Sequence, residues 1–220
     1  MIIFNFIKSF LKLILIYMPG EIGFSLRRSY YKKKMKSLGK NFIVDIGVNI
    51  DGCKFIKIGN NVRIDRDSII ATDNLKISKN IYAIKNSKFR EKRGTLIIED
   101  EVRINARSSI YAYGGVKIGK LSVLSESTKI FSSTHIPNDI NNPKKKIYIK
   151  HSNNYKNTPS LDSPVIIGEN SFIGIDCAFF PGSTVGKDSF VAPYSVIKNQ
   201  FDDNCFIEGN PAKKIKKRFI

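Results

Sequence analysis

The stretch SPVIIGENSFIGIDCAFFPGSTVGKDSFVAPYSVIKNQ, residues 163–200, decides the fold. Ile167, Ile173, Phe179, Val185, Val191 and Ile197 stand six apart, and a small residue follows each of the first five by four places: Ser171, Cys177, Ser183, Ser189 and Ser195. A helix repeats about every 3.6 residues and a strand every two. A period of six requires a chain that runs a short strand, bends, and closes a triangular coil after three such sides. One large aliphatic per side then points into the prism, and a small or branched residue sits where the side turns. This is the hexapeptide solenoid, in which each coil buries what its neighbour leaves exposed.

The same period is present earlier in the chain. Ile46, Gly52, Ile58, Ile64 and Ile70 are six apart; Ile98, Ile104 and Ile110 follow, then Ile118, Leu124 and Ile130 after a slip of two residues. Together these make 17 hexads, just under six coils. Gly59, Gly119, Gly168, Gly174 and Gly186 follow aliphatic positions, which suits tight corners. The general crossover rule favours a right-handed path. Two breaks, residues 74–95 and 136–164, lose the period and read as loops expelled from the stack. The predicted architecture is an all-β solenoid of about six parallel coils over residues 41–220, preceded by a distinct segment at 1–40 and ended by a short basic tail.

In the first forty residues, IIFNFIKSFLKLILIYM (2–18) is apolar except for a stripe of Asn5, Lys8, Ser9 and Lys12, so it reads as an amphipathic helix broken by Pro19-Gly20. It lacks the leading charge and cleavage site of a secretory signal, and it is short and too charged for a span. LRRSYYKKKMKSLGK (26–40) follows with seven basic residues and no acid. A greasy helix next to a polybasic segment suits an anionic membrane surface; the other reading packs the helix on the protein or on a partner subunit. The net charge of +18 draws anionic partners generally. Tyr30-Tyr31 is the only aromatic pair set among the lysines of this segment, so no nucleic-acid partner is expected. Three scattered cysteines fit a reducing cytosol and form no CxxC, and two histidines leave little room for a metal site.

The chain has no GxSxG, Walker A, GxGxxG or HExxH motif. FSSTHIPND puts His135 where a coil ends and a long loop leaves, and an imidazole there can take and return a proton near neutral pH. His151, inside the polar loop, reads as an ordinary loop histidine.

The hexads, the SSTH sequence, the run IIGENSFIGIDCAFFPGSTVGKDSFVAPYSVI and the ending EGNPAKKIKKRF together resemble the hexapeptide-repeat acyltransferases. Within that family they are most similar to the galactoside, maltose and nodulation acetyltransferase branch and its relatives that O-acetylate bacterial surface polysaccharides. The resemblance covers roughly residues 44–218. It implies a left-handed parallel β-helix, a homotrimer with active sites between subunits, acetyl-CoA as donor, a saccharide acceptor and a cytoplasmic location. It also implies roles for particular residues. His135, 17 residues after Ile118, matches the family's general base, and Asn105, 13 before Ile118, matches an acceptor-placing asparagine. Gly174, Ile175, Ala192, Pro193 and Lys198 fall at cofactor corners, although Ile175 replaces a hydroxyl residue and Pro193-Tyr194 bring unusual bulk. Lys213, Lys214 and Arg218 are implied as partners for the phosphates of CoA, with a solvated tail as the alternative. The rival readings are N-acetylation of a nucleotide-linked amino sugar, whose enzymes often carry an extra N-terminal nucleotide-binding domain not visible here, antibiotic acetylation, and a non-catalytic scaffold.

Overall fold

The computed structural model describes residues 2–72, 81–83, 94–136, 142, 144 and 160–220. Helix α1 (Ile2–Tyr17) and helix α2 (Gly20–Lys32) lead into a three-sided stack of short parallel strands. The first face runs Ser37–Leu38, Ile56–Ile58, Leu96–Ile98, Val116–Ile118, Val165–Ile167, Thr184–Val185, Gln200–Phe201. The second begins at Ile43–Val44 and continues through Arg103–Ile104 and Phe172–Ile173 to Cys205–Gly209, and the third runs from Asn49–Asp51 to Val196–Ile197. Each complete coil takes one strand from each face, so the described residues form six complete coils and an incomplete seventh.

The hexad positions from Ile64 onward are the core. Ile64, Ile104, Leu124, Ile173, Phe179, Val185, Val191 and Ile197 are fully buried. The small residues four places on are buried too, and several of their hydroxyls satisfy corner carbonyls: Ser122 Oγ donates to Gly168 O at 2.8 Å, and Ser195 Oγ to Ala192 O at 2.7 Å, whereas buried Ser183 Oγ has no partner among the described residues. This is why serine recurs there, since a buried corner carbonyl without a donor is costly. Corners adopt the left-handed conformation at Asn61, Glu101, Leu121, Asn170 and Asp188 along one edge, and at Asp67, Arg107, Ser127, Asp176 and Tyr194 along the next.

The first coil corrects the phase read from sequence. Leu38, Val44 and Ile50 belong to the packed interior, with Ile50 beside Ile70 and Leu38 beside Ile58, whereas Ile46 sits at a corner. Ile58 follows Ile50 by eight positions rather than six, because Gly52 at φ 73° and a 3-10 turn over Cys53–Phe55 absorb two.

The basic C-terminus is not a free tail. After a cis Asn210-Pro211 bond it folds back as the strand Ala212–Lys217, antiparallel to Cys205–Gly209. Of the two expected loops, three-residue pieces are described as strands. Ser160–Asp162 pairs antiparallel with Ser133–His135 and parallel with Ile81–Ala83, so parts of both insertions join the His135 strand in one small sheet. His151 lies outside the described residues.

The helices cap the first coil through one buried arginine. Arg27 is 1% exposed; its Nε donates to Val44 O at 2.7 Å, and its Nη1 donates to Met18 O at 2.8 Å and Leu15 O at 3.2 Å. Tyr31 and Met35 join Phe42 and Val44 in the same core. Arg27 therefore leaves the group of seven basic residues expected at the surface. No helix among the described residues is long and apolar enough to cross a membrane.

Candidate active site

His135 ends the strand Ser133–His135, beyond the third-face strand Lys129–Phe131. Strand pairing with Ser160 fixes its backbone, and Asp162, 3% exposed, accepts from Ser133 Oγ at 2.6 Å and Ser160 Oγ at 3.4 Å, tying the two strands together. The side chain of His135 is exposed. This residue thus presents an imidazole to solvent from a rigid support, at the edge where the third face turns into the first.

Asn105 lies on a different edge, between the second and third faces. Its N–H donates to Leu124 O at 2.9 Å, and the same ladder climbs that edge from Ser125 to Ile173 O, Gly174 to Val191 O and Ala192 to Ile207 O. Asn105, Gly174, Ile175, Ala192 and Pro193 are therefore aligned along one corner. Gly174 cannot offer its own N–H to a cofactor, because Val191 O takes it at 2.9 Å; its lack of a side chain matters instead, since a Cβ would lie 2.5 Å from Pro193 N. Ile175 is 40% exposed, and its N–H has no backbone acceptor among the described residues. Pro193 and Tyr194 stand out from the same corner, both exposed.

The basic residues separate. Lys198 is exposed and lies over the Phe180 ring, 5.5 Å from its centroid, on the His135 edge. Lys213 and Lys214 are exposed on the last strand, opposite Glu208 and Ile207. Arg218 corrects the expectation: its Nη1 donates to Asn170 O at 2.8 Å and Ser189 O at 3.2 Å. The fold-back strand brings it to the third edge, where it closes corner carbonyls at the end of the stack and does not face the Asn105 corner.

Two features were not legible in the sequence. A cavity of about 620 Å³ next to Asn105 is lined by Arg63, Arg66, Arg103 and Arg107 together with Asp45, Asp65 and Glu126. Buried Asp65 accepts from Arg63 and, at 3.0 Å, from Arg103. A second cavity of about 410 Å³ on the third face is lined by Ser109, Tyr111, Tyr113, Lys129, Phe131 and Ser133, just ahead of His135. Tyr111 and Phe131 stack at 5.5 Å with planes 4° apart, and burial pushes the Tyr113 phenol above its ordinary value. Their one sequence signal is that Tyr111 and Phe131 occupy equivalent, outward positions on successive coils.

No protein-family model matches the chain. It is 28% identical over 185 residues to dTDP-4-amino-4,6-dideoxy-D-glucose acyltransferase of Escherichia coli, covering 83% of this chain and 82% of that one. It is 27% identical over 133 residues to WbbJ of Escherichia coli K12, named for lipopolysaccharide biosynthesis O-acetyl transfer, covering 57% and 62%. Among solved structures, the N-acyltransferase AntD of Bacillus cereus, in complex with dTDP and coenzyme A, superposes with a TM-score of 0.65 at 24% identity over 87% of this chain and 89% of that one. A hexapeptide-repeat acetyltransferase of Vibrio cholerae, complexed with acetyl coenzyme A, gives a TM-score of 0.59 at 16% identity over 96% and 85%. The fold is the left-handed β-helix of these proteins, and over most of its length the chain is similar to named acyltransferases.

Proposed function

We propose that the chain is an acetyl-CoA-dependent O-acetyltransferase whose acceptor is a hydroxyl of a saccharide used in bacterial surface-polysaccharide or lipid-linked saccharide synthesis. The observation that carries this reading is an exposed histidine held on a paired strand at the edge of an acyltransferase solenoid. His135 removes the hydroxyl proton as the oxygen attacks the thioester carbonyl. The carbon–sulfur bond then breaks and the proton passes to the CoA sulfur. Neither an acyl-enzyme nor a metal is required. Positioning of both substrates supplies most of the acceleration, and the base contributes about 10²–10⁴-fold.

The Ile175 N–H is the candidate donor to the thioester oxygen, Asn105 orients the acceptor, and Ala192 and Pro193 border the pantetheine arm. Exposed Lys213, Lys214 and Lys198 are left to meet phosphate. Because His135 and the Asn105 corner occupy different edges of one prism, a neighbouring subunit must bring a second edge to each site, which supports a homotrimer. The reaction belongs in the cytoplasm, at the inner face of the membrane.

A second reading, N-acyl transfer to a dTDP-linked amino sugar, is favoured by the substrates named for the Escherichia coli relative and for AntD. Mass-spectrometric detection of free CoA, across a panel of saccharides and dTDP-amino sugars, distinguishes the two. In the same assay His135→Ala should keep its assembled mass and its CoA affinity but lose about 10²–10⁴-fold in turnover. Unchanged turnover removes His135 from the mechanism.

A further inference from the structure

A solenoid needs a cap at its first coil, and a cap ordinarily turns a polar side to water. Here the cap is α1 and α2, and its outer side is apolar. Phe6, Phe10, Leu13 and Tyr17 recur at i, i+4, i+7 and i+11, which sets them in one stripe along α1, and each is between 52% and 71% exposed. Ile22, Leu26 and Tyr30 repeat every four residues on α2 and are exposed as well. Lys32, Lys33, Lys34, Lys36 and Lys40 follow, all exposed, and Glu21 is the one acid in residues 1–40.

We propose that this cap docks on an anionic bilayer. Helix α1 lies in the interface with its Phe6–Tyr17 stripe among the acyl chains, and the lysines after α2 meet the headgroup phosphates. Charge selects this occupant over a second copy of the chain. Joining two such stripes would bring two sets of five lysines together, whereas anionic lipid neutralises them. The Arg27 bonds fix the cap to the first coil, so the docked helix carries the solenoid in a set orientation. Strands stack about 4.8 Å apart, which puts His135, on the fourth coil, roughly 15 Å along the stack from the first coil, on which the cap sits. On the saccharide-transfer reading, on which this consequence rests, that spacing suits an acceptor sugar held above the membrane by its lipid carrier.

The test is cosedimentation of the full chain with vesicles of equimolar phosphatidylcholine and phosphatidylglycerol, against phosphatidylcholine alone. The protein should pellet with the mixed vesicles only. Phe10→Ser/Leu13→Ser should weaken binding at least tenfold, and Lys32→Gln/Lys33→Gln/Lys36→Gln roughly fivefold per charge, with a flatter salt dependence. CoA release with a soluble acceptor should not change in either variant. Equal pelleting with both lipids, no pelleting, or full binding by the variants overturns the proposal. So does a fall in the solution mass of Phe10→Ser/Leu13→Ser without vesicles, which would assign the stripe to a second copy. Should the wild-type protein release no CoA with any acceptor, the transfer reading fails while the vesicle result stands.

Discussion

Replacing Arg27 by alanine tests how the helical cap is joined to the solenoid. Three short bonds run from one guanidinium to Val44 O, Met18 O and Leu15 O. A hydrogen bond to a charged group contributes about 1.5–3 kcal/mol net, so three would give roughly 5–9 kcal/mol if burial were free. It is not free: burial pushes the guanidinium pKa below its ordinary value, with Asp45 opposing that fall, and desolvating such an ion costs several kcal/mol. The expected loss for Arg27→Ala is therefore about 3–5 kcal/mol, since three carbonyls are left without a donor at about 1–3 kcal/mol each while the cost of the buried charge is relieved. Arg27→Lys, whose ammonium is a compact point charge rather than a fork, should recover only part of it. Coils touch only their neighbours, so the damage should stay local. Hydrogen exchange should accelerate a hundredfold or more at the Gly47 N–H, bonded to Ile16 O, and the Asp45 N–H, bonded to Ile64 O. The Ala192 N–H, bonded to Ile207 O, should be unaffected. A loss below about 1 kcal/mol, or protection lost evenly along the stack, would refute this account of the cap.

Gly119→Ala should destabilise the protein by about 1–3 kcal/mol in urea unfolding, because a Cβ there would lie 2.5 Å from Glu169 N on the next coil. Burial pushes the Cys177 thiol up to about 11; its folded pKa then exceeds its unfolded one, so this stabilisation is complete below about pH 9 and fades as pH rises toward 11. Thermal melts across that window should show a falling Tm, on the order of 2 kcal/mol for this group, and Cys177→Ser should flatten the slope. At neutral pH, iodoacetamide should label the half-buried Cys53 before Cys177 or Cys205.

How far the sequence reveals this protein depends on whether a feature repeats. The coils from Ile58 to Ile197 repeat, and their core residues could be read directly. The slip between Ile110 and Ile118 is also visible, because Ile118, Leu124 and Ile130 resume the period of six at once. The same slip between Ile50 and Ile58 was hidden, since Cys53 and Phe55 look like core residues and Ile46 stands by chance twelve residues before Ile58. Arg27 was counted with the surface charges because the atoms that hold it are backbone carbonyls, which leave no mark on composition. The sheet that supports His135 unites Ser133–His135 with pieces of two insertions far apart in sequence, and no periodicity reports such a pairing. Spacing singles out both Asn105 and His135 as candidates, but spacing runs along one chain, and these residues stand on different edges of the prism. On the proposed mechanism a second subunit has to complete the site for the same reason that the fold is legible: a triangular coil separates, by a whole face, residues that the repeat places at related positions.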